Sequence, residues 1–339
     1  MSEMSLQIAW LALIGLLLAG YFVLAGYDYG VQMLRPFLGR GADVRQAALS
    51  AISPFFLGNE VWLVAFTGVL FGAFPYLEGS LLSGLYPLIV AILVGLVVGN
   101  AAVQLRGRGY GGRGRRVWDA LIVFGGVLPA LGWGLVVGLL LHGVPRRPDG
   151  SFHLGLTDLL DPFVLLCGVC AVLLFAAHGA AFLVLRATGQ LAERARRLAL
   201  TALRALAATG LVAILLSVAG AGASVVNPAQ ACVLTALTVA VLALAWRLLL
   251  QGARPGRAFA ATCCATALPV LLIGAGQYPY TLAASGGGGI TIDQAAADGV
   301  TLQLLMTFGV LIIPLILVYQ TWSWWVFRGR TGSRHASYF

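Results

Sequence analysis

Charged side chains are scarce in this sequence of 339 residues. It contains no lysine, its 21 basic residues are all arginine, and it has 12 acidic residues, so that 10% of the chain is charged against 60% apolar. The mean hydropathy is +0.93. A soluble domain of this size does not need so large an apolar fraction, so the composition predicts a polytopic membrane protein. The net charge of +9 does not indicate nucleic-acid binding, because the arginines cluster in short loops between apolar runs.

Residues that hold haem iron or other metals are also few. His178 is the one histidine deep inside a predicted helix. Cys167 and Cys170 form a CxxC spacing, but they lie in an apolar helix, where thiols usually pack as small apolar groups. The four methionines offer no obvious axial partner for a haem; they are Met1, Met4, Met33 and Met306. We therefore predict no metal site and no directly bound haem in this chain.

Nine apolar runs are long enough to cross a bilayer, which takes roughly 20 residues. The N-terminal sequence MSEMSLQIAW has neither a basic segment nor an A-x-A cleavage site, so the first run is predicted to be a retained helix. The fold class expected from these runs is an all-α polytopic membrane protein. The predicted spans are 7–33, 53–75, 80–104, 117–142, 162–186, 199–221, 230–250, 259–280 and 302–327.

Arginine-rich loops alternate with acidic loops along the chain. The acidic loops carry residues such as Glu78, Asp158 and Asp293, and only Arg146 and Arg147 break the pattern. By the positive-inside rule, the N-terminus is predicted to face outward and the C-terminus the cytoplasm. The arginines assigned to the cytoplasmic side are Arg35, Arg40, Arg45, Arg106, Arg108, Arg113, Arg115, Arg116, Arg194, Arg196, Arg197, Arg254, Arg257, Arg328, Arg330 and Arg334.

The spans form two similar sets. GLLLAGYFVLAGYDYGVQML in span one and GVCAVLLFAAHGAAFLVL in span five each place a polar residue beside a glycine. We therefore predict a single transmembrane domain of two four-helix bundles, about 1–142 and 143–280. Segment 281–339 then holds an outer loop, a peripheral ninth helix and a cytoplasmic tail. The GGGG stretch of that outer loop is predicted to be flexible.

Three ionisable residues lie inside predicted spans: Asp28, Glu60 and His178. At 1.5 Å per residue each is roughly 10–12 Å from its helix end, so all three share one depth on the cytoplasmic side. Ionisable groups at membrane depth usually face the bundle interior or a water pathway. One interpretation is that each forms hydrogen bonds to a neighbouring helix and holds the packing. The other is a proton-conducting cluster fed from the cytoplasm.

The sequence GNEVW, residues 58–62, concentrates polar residues in span two. Gly58 permits close helix approach. Asn59 and Trp62 are three residues apart and share a helix face, whereas Glu60 is turned by about 100° from Asn59. Glu60 and Asn59 are therefore expected to contact different neighbouring helices. Trp62 is too deep for an interfacial anchor and is predicted to fill a gap between helices or to narrow a passage.

Three tryptophans occur near the end of the last span, in YQTWSWWVFRGR. They are Trp322, Trp324 and Trp325. Because amphipathic indole rings are enriched at membrane–water interfaces, we expect all three to form a belt at the inner interface.

These motifs together resemble subunit II of the cytochrome bd-type quinol oxidases. The resemblance runs along the whole chain, and its order and spacing agree with the nine predicted spans. The segments that carry it are GYDYGVQMLRPFLGR, GNEVWLVAFTGVLFGAFP, LDPFVLLCGVCAVLLFAAHGAAFLVLRATGQLAERARR, QYPY, ITIDQAAADGVTL and YQTWSWWVFRGR.

The resemblance implies a heterodimer in a bacterial cytoplasmic membrane. Its haem-bearing subunit I would carry haems b and d, oxidise quinol and reduce oxygen to water. This chain would carry no redox centre, stabilise subunit I and help to form proton and oxygen routes. Asp28 matches the family's acid at the end of helix one, and Trp62 matches the tryptophan associated with the oxygen route. The resemblance leaves open a structural quinone in this subunit and small single-helix accessory subunits.

The sequence departs from the family pattern at two places. Where the family reads Trp-Asp before GNEVW, this chain has Phe56 and Leu57. Where the family reads Arg-Gly-Val-Ala-Phe-Glu in helix three, this chain begins with Gly99 and ends with Gln104. We expect these losses to be coupled, since removing an acid and a base together avoids an unpaired buried charge. Because the usual acid is absent, either Asp28 and Glu60 would have to carry the proton route, or subunit I would supply it.

Two other functions remain open from the residues alone. One is a proton-coupled secondary transporter with Asp28, Glu60 and His178 as the coupling site, although the sequence lacks matched pairs of broken helices. The other is a purely structural scaffold subunit.

Overall fold

A computed structural model describes residues 3–39, 41–106 and 111–330. Within these ranges, nine helices are long and apolar enough to cross a membrane, which confirms the predicted number. These helices are α1 (Glu3–Leu34), α3 (Phe56–Ala73), α5 (Tyr86–Leu105), α6 (Gly111–His142), α8 (Pro162–Arg186), α9 (Gly189–Val218), α10 (Pro228–Gln251), α11 (Pro255–Gln277) and α13 (Gly299–Val326). The chain is a multi-pass membrane protein.

Short elements fill several connections that the sequence analysis assigned to loops or to longer spans. The third span begins at Tyr86 rather than at 80, because a separate helix precedes it. Span six begins ten residues earlier than predicted, since its Arg-rich segment continues the helix. The short helices are α2 (Ala42–Ile52), α4 (Pro75–Gly84), α7 (Leu156–Leu159) and α12 (Ile292–Ala295), with a 3-10 turn at Arg35–Phe37.

The loop after α11 contains the one pair of β-strands in the described residues. Strands β1 (Tyr280–Ala283) and β2 (Gly289–Thr291) pair antiparallel. The turn between them uses Gly287 and Gly288, whose φ angles of +91° and +75° favour glycine. The chain is predominantly α-helical as predicted, and this short hairpin, whose turn is formed by the GGGG stretch, is an addition that the sequence did not indicate.

Proline and aspartate explain where several helices begin. Proline occupies the first turn of five helices, where its missing N–H has no helical partner to lose: α4, α5, α8, α10 and α11. Asp298 caps α13 by accepting bonds from the Val300 and Thr301 amides at 3.0 Å each. The hydrogen bonds, first of all the one from the Thr301 hydroxyl, hold the pKa of Asp298 below its ordinary value.

Helix α1 lies at the centre and packs against α3, α6, α8 and α11. It crosses α8 where Gly30 meets Gly179; a Cβ on Gly30 would lie 2.7 Å from the Gly179 Cα. Small residues let helix backbones approach in this way. Helix α13, by contrast, is mostly exposed and touches mainly α3 and α1.

The orientation and the internal division of the chain stay predictions. Arg40, Arg108 and Arg334, which were used to orient the chain, lie outside the described residues. The helix contacts do not separate the predicted parts 1–142, 143–280 and 281–339. Helix α8 packs against α1 and α6 of the first part and also against α9 and α11 of the second.

Candidate functional site: a polar cluster around Asn59

Asn59 is fully buried on α3 and is the centre of a polar cluster. Its Nδ2 donates towards the Asp28 Oδ2 at 2.8 Å, the Tyr27 hydroxyl at 2.7 Å and the Leu24 carbonyl at 3.2 Å. Its Oδ1 accepts a bond from Gln320 Nε2 at 3.3 Å. Since an amide has two N–H hydrogens, three acceptors share two protons. Asn59 thus joins α3 to α1 on one side and to α13 on the other.

Asp28 presents a carboxyl group that is only partly satisfied. The residue is 2% exposed, and its Oδ1 has no hydrogen-bond partner among the described residues. No arginine forms an ion pair with it in that part of the chain. A carboxylate at membrane depth is costly unless it is paired or neutralised. The free oxygen is therefore a chemically suitable place to take up a proton.

Glu60 faces a different neighbour from Asn59, as the helical geometry predicts. Its carboxyl group accepts a hydrogen bond from Asn100 on α5. The residue is half-buried, and its charge is within electrostatic reach of Asp28, Tyr21 and Tyr29. Glu60 on α3 and Asp28 on α1 therefore lie in one electrostatic environment, although their carboxyl groups have different hydrogen-bond partners.

His178 lies apart from the two acids, at the junction of α1, α8 and α11. Its Nε2 is 2.8 Å from the Val23 carbonyl, and its Nδ1 is 2.8 Å from the Thr262 hydroxyl. A carbonyl can only accept, so Nε2 carries a hydrogen. The ring also stacks on Phe259 with centroids 5.0 Å apart. With both nitrogens engaged, His178 is placed to hold three helices together and offers no free nitrogen to a metal.

Tyr27 connects His178 to the acids. Its hydroxyl meets Asn59, and its ring lies 6.0 Å from the His178 ring and is stacked on Phe182 at 4.3 Å. The contact with His178 is through ring faces and edges rather than a hydrogen bond. The structure therefore brings Asp28 and Glu60 into one cluster and leaves His178 at its edge.

Trp62 and Gly58 of GNEVW lie at contacts between helices. Trp62 is 7% exposed and packs against α1 at Gly20, where any Cβ would overlap the indole ring. Its Nε1 is buried without a partner in the part of the chain that the structure describes. A Cβ on Gly58 would come 3.1 Å from the Tyr319 hydroxyl, so this glycine lets α13 approach α3.

Several polar residues that the sequence did not single out lie in or near the site. Gln320 and Asn100 join the cluster from α13 and α5. Near the Arg-rich end, Asp119 on α6 pairs with Arg35, and with Arg106 at 2.7 Å. Asp119 could have been found from the sequence, because it is a single acid at the start of an apolar run. Gln320 and Asn100 had no such signal, because single amides in helices are common.

The expected direction of one tryptophan side chain needs correction. Trp324 turns inward and stacks on Phe55 at 4.9 Å and on Phe259 at 5.8 Å, while Trp322 and Trp325 are exposed, so a belt at the inner interface stays a prediction. Helix α13 is apolar on all sides, so hydropathy could not indicate which tryptophan turns inward.

The explanation of the family departures also changes. Leu57 is 62% exposed, so an acid there would not be buried within this chain. Gln104 is exposed as well. Gly99 is buried, and a Cβ there would lie 2.8 Å from the Gly125 Cα of α6. Leu57 and Gly99 therefore do not mark one buried pair within this chain, where the glycine permits close contact between α5 and α6. That the losses are coupled stays a prediction.

Metal-binding residues do not converge in the described ranges. Within residues 3–39, 41–106 and 111–330, no three His, Cys, Asp or Glu side chains form a group that could hold a metal ion.

Known proteins resemble this chain over almost its full length. Cytochrome bd ubiquinol oxidase subunit 2 of Bacillus subtilis is 29% identical and covers 97% of this chain and 98% of its own length. Cytochrome bd-I ubiquinol oxidase subunit 2 of Escherichia coli K12 is 31% identical and covers 96% and 95%. In fold, a chain of the bd oxidase from Geobacillus thermodenitrificans matches with a TM-score of 0.74 at 19% identity, covering 94% of this chain and 98% of that one.

The family profile described as cytochrome bd terminal oxidase subunit II matches residues 6–327. Because that match covers nearly the whole chain and agrees with the relatives above, this protein belongs to the cytochrome bd terminal oxidase subunit II family.

Proposed function

We propose that this chain is the haem-free subunit II of a bd-type quinol:oxygen oxidoreductase in a bacterial cytoplasmic membrane. It stabilises the haem-bearing subunit I and contributes a proton route through Asp28 and Glu60. Family membership supports the oxidase assignment and disfavours a secondary transporter. In this proposal the acids work from the cytoplasmic, Arg-rich side. A structural quinone and small single-helix accessory subunits stay predictions of the resemblance.

The observation that carries the proton route is the arrangement of two acids around Asn59. Asp28 is fixed by Asn59 at one oxygen and free at the other, and Glu60 lies within electrostatic reach on the neighbouring helix. No arginine is paired with either acid among the described residues. Acids in this position can exchange protons without first breaking a salt bridge. Ionisable groups of this kind mark proton relays in membrane proteins.

The experiment is quinol-driven oxygen consumption by the purified two-subunit complex in liposomes, with proton uptake recorded in parallel. We expect Asp28→Asn and Glu60→Gln each to lower turnover and proton uptake together. Glu78→Gln, on the short helix α4, is the matched control and should behave as wild type. The haem absorption spectrum of subunit I shows whether each variant assembles. Full turnover and full proton uptake in both variants would leave only a scaffold role.

A scaffold role has its own support in His178. Its two nitrogens and its ring face are all engaged by α1 and α11, as expected of a residue that holds packing. His178→Phe should therefore lower the melting temperature of the complex. Turnover per assembled complex should be unchanged, and a selective loss of proton uptake would instead assign His178 to the route.

Trp62 is proposed to narrow the passage between α1 and α3 on an oxygen route. Its ring fills the space above Gly20, so a smaller ring opens that space. We expect Trp62→Phe to change the KM for oxygen at constant kcat. Trp322→Phe, on the exposed face of α13, is the control. An unchanged KM for oxygen in an assembled Trp62→Phe complex would leave Trp62 with a packing role only.

A further inference from the structure

A large cavity lies among α8, α9, α10 and α11, and Phe22 of α1 and Trp133 of α6 also line it. Its volume is about 740 Å³, and pockets that bind organic ligands span about 300–1,000 Å³. Most of its lining is aliphatic or aromatic, for example Leu174, Leu206 and Leu242. None of the residues of the Asn59 cluster lines it, so it is separate from the site described above.

The length of the cavity matches one leaflet of a bilayer. Along α9 it extends from Leu203 to Ile214, and along α10 from Thr235 to Arg247. At 1.5 Å per residue these stretches are about 15–18 Å long, roughly half of the 30 Å hydrocarbon core. The cavity opens sideways between α9 and α10, because Leu211 lines it and is 56% exposed.

Two arginines stand at one end of this apolar space. Arg204 lies over the Trp246 ring at 5.2 Å, and Arg247 is the next residue of α10. Both lie on the Arg-rich side of the chain, yet Arg204 is inside the predicted span 199–221. Neither has an ion-pair partner among the described residues, and no carboxylate lines the cavity. The site therefore combines an uncompensated double positive charge with a long apolar chamber.

We propose that this cavity binds one anionic phospholipid, with an acyl chain between α9 and α10 and the phosphate against Arg204 and Arg247. Basic pockets between transmembrane helices bind the head groups of anionic lipids in this manner. The long arginine side chains can reach the interface while their stems cover apolar surface. A neutral isoprenoid molecule would fill the chamber but leave both charges uncompensated. The inference does not depend on the proton route.

The experiment uses the two-subunit complex in detergent with phosphatidylglycerol and phosphatidylcholine in equal amounts, and counts bound lipids by native mass spectrometry. We expect the wild type to retain one phosphatidylglycerol in preference to phosphatidylcholine. The double variant Arg204→Gln, Arg247→Gln should weaken retention about 30-fold, which corresponds to about 2 kcal/mol at about 1.4 kcal/mol per tenfold change. Arg257→Gln, an exposed arginine of the same side that does not line the cavity, should retain the lipid.

A second variant tests the chamber without touching the arginines. Gly210 lines the cavity and a Cβ there meets nothing within 4 Å, so Gly210→Leu fills the chamber without a clash in the fold. It should also release the lipid while the haem spectrum of the complex stays unchanged. Equal retention of phosphatidylcholine, retention of phosphatidylglycerol by both variants, or a quinone in place of the lipid would each overturn the proposal.

Discussion

The crossing of α1 and α8 is the packing feature whose disruption can be estimated most directly. Gly30 and Gly179 meet backbone to backbone, and a Cβ on Gly30 would overlap the Phe175 carbonyl oxygen and lie 2.7 Å from the Gly179 Cα. Rotamer changes cannot relieve a contact with backbone atoms. Since carbon atoms pack at about 3.5–4.0 Å, Gly30→Ala should push the two helices apart by about 1 Å.

That displacement reaches the bond between His178 on α8 and Val23 on α1. Their N···O distance of 2.8 Å would rise to about 3.8 Å, beyond hydrogen-bonding range. Overpacking costs about 1–3 kcal/mol, and leaving a buried donor without a partner costs about 1–3 kcal/mol. Gly30→Ala should therefore destabilise the chain by about 2–6 kcal/mol, a large part of a typical total stability of about 5–15 kcal/mol.

Thermal unfolding in detergent, followed with a thiol-reactive fluorophore, measures this effect. Cys167 and Cys263 are partly buried and become reactive when the helices separate. The matched control is Gly15→Ala on the same helix, where a Cβ meets nothing within 4 Å. The control should be neutral or slightly stabilising, because alanine is the better helix former. Equal melting temperatures for Gly30→Ala and Gly15→Ala would refute the argument from the crossing.

Two further predictions concern the Arg-rich end and the α5–α6 contact. Asp119→Asn leaves Arg35 buried without its ion pair, which should cost about 3 kcal/mol in a melting assay, whereas breaking the exposed pair between Glu193 and Arg196 by Glu193→Gln should leave the melting temperature nearly unchanged. Gly99→Arg, which restores the family residue, should prevent assembly of the complex because α6 leaves no room for a side chain. The control Gln104→Glu, at an exposed position, should assemble normally. A normal haem content of the Gly99→Arg complex would contradict this prediction.

Local patterns predicted much of the GNEVW segment correctly. Asn59 and Trp62 both face α1, and Glu60 faces α5, as residues three apart and one apart on a helix must. The buried state of Asp28 followed from its depth in an apolar run. These outcomes depend only on helix geometry and on the cost of exposing polar groups to lipid, and both are readable along a single helix.

Predictions that needed the rotation of a helix about its axis failed. Leu57 points outward and Trp324 inward, against expectation. Helices α3 and α13 are apolar around their whole circumference, so hydropathy carries no information about which face meets a neighbour. Contacts from distant parts of the chain decide it, such as Gln320 with Asn59, which are 261 residues apart.

The amino-acid sequence by itself determined the number of membrane helices, because a backbone in lipid must satisfy its hydrogen bonds within each segment and apolar runs of helical length do so locally. The tertiary structure alone decided which polar side chains meet. It brought Asp28 to Asn59, engaged both nitrogens of His178 and joined Arg204 to Trp246 across two helices. Each of these contacts depends on how closely two helices approach and at what rotation, and that is set by packing between segments rather than by the sequence of either one.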